Sequence, residues 1–85
     1  MSRKGSTVDE RFLIKLYETA MQRGNWDSDV DLLAIGKGIG LREKSLKTIL
    51  QLLSQANFVK KTSETQGRLT QNGKNLVLQL IGKGT

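Results

Sequence analysis

The stretch that most constrains this 85-residue chain lies between residues 57 and 74, where the apolar spacing leaves a helical period and then returns to it. Before it, Leu46, Ile49, Leu50 and Leu53 recur at the three- and four-residue intervals of one helix face. After it, Leu76, Val77, Leu80 and Ile81 repeat that spacing, with Leu78 left over. In between, residues 58–62 and 68–70 are short strand candidates joined by Ser63-Glu64-Thr65-Gln66-Gly67, polar with a glycine near its end as a hairpin loop requires. Asn57 stands where the chain must leave the preceding helix, and asparagine tolerates a left-handed backbone better than most non-glycine residues. Two strands this short are not stable alone and must lean on helices. The expected class is therefore α+β.

The first half supplies those helices. Thr7 with Glu10 three residues later fits a capping box, and Phe12, Leu13, Leu16, Tyr17, Ala20 and Met21 follow at helical spacing. They define a helix over 8–22 that ends near Gly24. Trp26 lies in the next loop beside two acids, placed to cover a small core rather than to stack on a base. Ser28, with Asp31 three residues on, reads as the cap of a second helix over 29–37 that buries Val30, Leu32, Leu33 and Ile35. Gly38-Ile39-Gly40-Leu41 is a turn, with Ile39 and Leu41 pointing inward. A third helix covers 42–56, Leu52 lying off the centre of its stripe, and Thr70 caps a last helix over 71–81. The expected order is α-α-α-β-β-α.

Charge and composition narrow the function. The formal charge is +6, from 14 Lys and Arg against 8 Asp and Glu. Residues 1–40 balance six bases against six acids, so all of the excess lies in 41–85, where eight bases face only Glu43 and Glu64. A basic half of this kind fits a polyanionic partner. With no histidine or cysteine, the commonest acid–base group and the thiolate and imidazole metal ligands are missing, and neither an enzyme nor a bound cofactor is expected. Residues 1–8 lack the apolar stretch of a signal peptide, and no run approaches a membrane span, so a cytoplasmic location without membrane contact is expected.

The residues now in place resemble the winged helix-turn-helix superfamily of bacterial DNA-binding regulators. The resemblance rests on Leu32…Ile35-Gly36…Gly40-Leu41, then Ser45-Leu46, Leu50, Leu53 and Asn57-Phe58-Val59, and finally Leu69-Thr70…Gly73…Leu76. It covers residues 8–81, with 1–7 and 82–85 as flexible ends. Three positions depart from the family pattern. Gly36 replaces a usual alanine, at a cost of up to ~1 kcal/mol in a helix. Arg42 stands where Ser, Thr or Asp commonly caps, and Asn57 replaces a usual glycine.

The resemblance implies a small winged helix whose recognition helix, 42–56, enters the major groove of duplex DNA beside a basic wing, 58–70. Arg42, Lys44, Ser45, Lys47, Thr48 and Gln51 are then the groove-facing candidates, with Arg or Lys matched to guanine and Gln to adenine. Lys60, Lys61 and Arg68 supply phosphate or minor-groove contacts. A solvated helix face would explain the same lysines, but such a face usually mixes signs, and only Glu43 opposes them. The expected role is transcription regulation or accessory DNA binding. The alternative is a protein-interaction adaptor, and surplus apolar residues on the last helix, Leu78 above all, also fit a homodimer. The glycine-rich 36–40 and 67–75 segments lack the spacing of nucleotide-binding loops, and single-strand binding would call for aromatics within the basic surface.

Overall fold

The computed structural model describes residues 7–83. Val8–Arg23 forms α1, Val30–Asp31 the strand β1, Leu32–Gly38 α2, Glu43–Gln55 α3, Val59–Lys61 β2, Gln66–Leu69 β3 and Gln71–Lys83 α4. The expected α+β class with a β-hairpin followed by a C-terminal helix is observed. The order gains one strand, becoming α-β-α-α-β-β-α. Of the expected flexible ends, residues 1–6 and 84–85 lie outside the described residues, Thr7 caps α1, and α4 continues through Lys83.

α1 begins as its capping box dictates. The Thr7 hydroxyl accepts from the Glu10 amide, and the Glu10 carboxylate accepts from the Thr7 amide at 3.1 Å. Its stripe of Phe12, Leu13, Leu16 and Ala20 is wholly shielded and belongs to one core with Val30, Leu32, Ile35, Leu46, Leu50, Leu53, Val59, Leu69 and Val77. Each fully shielded Leu or Phe contributes about 1.5–3 kcal/mol. α2, α4, β1 and β3 all pack on α1, so that helix is the hub of the molecule. Trp26 packs half-buried against this core, and the Lys74 ammonium sits 4.9 Å from its ring centroid, a cation–π contact between the loop after α1 and the start of α4.

The second helix starts later than its sequence pattern implies. Asp31, not Ser28, is its cap, the carboxylate accepting from the Leu33 and Ala34 amides at 3.0 and 3.2 Å. The cause is a competing partner for the backbone: Val30 pairs with Gly67 and Asp31 with Gln66, making β1 the edge of an antiparallel sheet ordered β1-β3-β2. The hairpin is also shifted. Gly67 belongs to the central strand rather than the loop, and the loop is 62–65. In α4, Val77 is buried, whereas Ile81, expected in the core, is 43% exposed alongside Leu78 at 45%.

α2 and α3 end in the same way. Gly40 takes φ 83°, its amide donates to the Lys37 carbonyl, and the Leu41 amide donates to the Gly36 carbonyl at 2.8 Å. Asn57 takes φ 66°, its amide donates to the Ser54 carbonyl, and the Phe58 amide donates to the Leu53 carbonyl at 2.9 Å. Both are Schellman caps, which satisfy the last carbonyls and turn the chain sharply. Gly36 also has a packing reason that composition hides. A Cβ there would lie 2.9 Å from the Leu46 methyls, so its absence lets α3 sit close on α2.

Candidate nucleic-acid interface

α3 lies between α2 and the hairpin, its Leu46, Leu50 and Leu53 turned into the core. That orientation leaves Lys44, Ser45, Lys47, Thr48 and Gln51 exposed on the helix and Arg42 exposed at its cap. Arg42 makes no side-chain capping bond, unlike Thr7 and Asp31 at the starts of α1 and α2. The absence of a capping side chain there matches the arginine found in the sequence.

The exposed residues of α3 divide by helical position. Lys47, Gln51 and Ser54, at intervals of four and three, share the flank that faces β2. With Leu50, Gln55 and Lys61 they line an open groove of about 400 Å³ between α3 and the hairpin. Its lining includes the buried Leu50, and its two cations come from different elements with no acid among the lining residues. Lys44 and Thr48 lie on the outermost stripe, where the Thr48 hydroxyl donates to the Lys44 carbonyl at 3.2 Å. Ser45 falls on the far flank, two turns from Leu52, which at 57% is the most exposed large apolar side chain among the described residues. Ser54 and Gln55 were not singled out from sequence. Their spacing from Lys47 and Gln51 is the signal that would have found them.

The three hairpin cations do not form one cluster. Lys61 pairs with Gly67 and shares the face of Val59 and Leu69, which turns it toward α3. Lys60 pairs with Arg68 on the opposite face of the sheet. There Arg68 approaches Asp29, Nε to Oδ1 3.9 Å, the single ion pair among the described residues. Residues 67–75, which resemble a nucleotide loop in outline, are strand, cap and helix here. Among the described residues no group of acids, histidines or cysteines could hold a metal, and no helix is long and apolar enough to cross a membrane.

Comparison with protein-family models, with curated proteins and with solved structures finds no match to this chain. The chemistry of the site therefore rests on its own residues.

Proposed function

We propose that this chain is a winged helix-turn-helix domain that binds duplex DNA through α3 and the β2–β3 hairpin, acting as a transcriptional regulator or accessory DNA-binding protein in the cytoplasm. The observation that carries this reading is the groove between α3 and β2, to whose lining α3 contributes Lys47 and β2 contributes Lys61 with no carboxylate beside them. Cations that two separate elements contribute to one groove without a carboxylate beside them favour a polyanionic occupant. Arg42, Lys44, Thr48 and Gln51 then supply the base-edge contacts, while Lys47, Lys61 and the outer Lys60 hold phosphates, and Arg68 lies beside Lys60 within reach of Asp29. Fluorescence anisotropy with a random-sequence duplex tests it. Binding is expected to weaken by about 0.9 log units per phosphate contact for each tenfold rise in salt. Absent or salt-insensitive binding at low ionic strength would sink the reading.

A second reading, a protein-interaction module, is favoured by one observation. Leu78 and Ile81, three residues apart on one face of α4, are both nearly half exposed. The partner consistent with DNA binding is a second copy of the chain, since two-fold pairing would present two α3 helices to a palindromic site. Light scattering after size exclusion is expected to give a dimer mass for the unaltered protein and a monomer for Leu78→Glu. A monomer mass for both removes the homodimer.

A further inference from the structure

We infer that Asp29 is a positioning residue that holds Arg68 away from bound nucleic acid and so sets the strength of the interface. This rests on the DNA-binding reading. The register β1 to β3 pairs Val30 with Gly67 and Asp31 with Gln66, so the next step places Asp29 opposite Arg68. The register β2 to β3 places Lys60 opposite Arg68 from the other side. Asp29, Arg68 and Lys60 thus form one row across the outer face of the sheet, with Arg68 central.

Like charges directly opposed across a strand pair repel, so Lys60 pushes the guanidinium toward Asp29. The contact that results is long for a charged pair, 3.9 Å, and both side chains are more than two-fifths exposed. Such a pair adds little to stability. Its consequence lies elsewhere: Asp29 draws the Nε edge of the guanidinium that would otherwise turn to a phosphate, and it is the only described acid in an ion pair with a cation of the proposed surface. Every other cation assigned to that surface is without an ion-pair partner among the described residues. The structure therefore has a graded interface in which one contact is withheld by the protein's own carboxylate.

Asp29→Asn removes the charge and keeps the shape. Duplex binding by anisotropy at about 50 mM salt is expected to tighten about fivefold, the upper end for an exposed charge pair. The salt slope is expected to steepen by about 0.9, the signature of one added phosphate contact. In an Arg68→Gln background the same substitution is expected to change neither quantity by more than about a third of these effects. An equal gain in both backgrounds would show that Asp29 acts as a general negative charge, and no gain in either would show that it restrains nothing. Both overturn the inference while leaving DNA binding intact. If the unaltered chain shows no salt-sensitive binding, the functional reading falls, and this inference falls with it.

Discussion

Gly73→Ala is expected to lower the thermal midpoint of this domain by more than about 12 °C. Helix propensity alone says the opposite, since alanine is better than glycine by about 0.8–1.0 kcal/mol within a helix. Geometry decides the sign. A Cβ on Gly73 would run into the Phe58 carbonyl oxygen and lie 2.9 Å from a Leu69 methyl. The methyl could move, but the carbonyl is held. Phe58 O accepts from the Thr70 amide at 3.1 Å, the Phe58 amide donates to Leu53, and the Thr70 hydroxyl donates to the Asn57 carbonyl at 2.6 Å. The Thr70 hydroxyl also accepts from the Gly73 amide at 3.1 Å, tying the start of α4 to the same point. Relief would require α4 to lift off the junction between α3 and β2, at the upper end of overpacking costs, about 3 kcal/mol or more. Against a total stability of about 5–15 kcal/mol for a small domain, that is a large share. Gly38→Ala is the control. Nothing lies within 4 Å of its Cβ position, so it is expected to leave stability unchanged or raise it by about 0.4–1 kcal/mol. Thermal melts followed by circular dichroism measure both. An unchanged or higher midpoint for Gly73→Ala would refute the close approach.

That junction also shows what a sequence of this kind does and does not disclose. Thr7, Thr70 and Asn57 are legible because each acts through its own side chain or backbone tolerance on residues one turn away. β1 is not legible. A two-residue strand has no periodicity, and it exists only because β3 presents an open edge to Val30 and Asp31. The same pairing moved the cap of α2 from Ser28 to Asp31, since it keeps Val30 and Asp31 extended and the first helical residue is then Leu32. Gly67 read as loop for a sound local reason, glycine being a common turn residue, yet both its neighbours in space are strands. The division of the site follows from register as well. Lys47 and Gln51 fall together by helical spacing, which sequence shows directly. Whether Lys60 or Lys61 joins them depends on the hairpin register, where a slip of one residue exchanges the two faces.

The register therefore makes a sharp test of the interface. Lys47→Glu with Lys61→Glu is expected to abolish duplex binding, lowering affinity more than about 100-fold at about 0.1 M salt. Two phosphate contacts would be lost, and two carboxylates would stand where the phosphates lie, a juxtaposition that costs several kcal/mol. Folding is expected to be untouched. Both lysines are exposed, and neither takes part in an ion pair among the described residues, so stability should stay within about 0.5 kcal/mol of the unaltered protein. Net charge alone could mimic part of the loss, and Lys15→Glu separates the effects. Lys15 is an exposed residue of α1 outside the groove lining. At about 0.1 M salt, charges beyond about 10 Å are largely screened, so Lys15→Glu should weaken binding only slightly. Each single groove variant should fall between. If Lys15→Glu weakened binding as much as either groove variant, the protein would attract DNA through its overall charge. A defined seat between α3 and the hairpin predicts instead that loss tracks the groove, and that Lys47 and Lys61 act together although fourteen positions separate them in the chain.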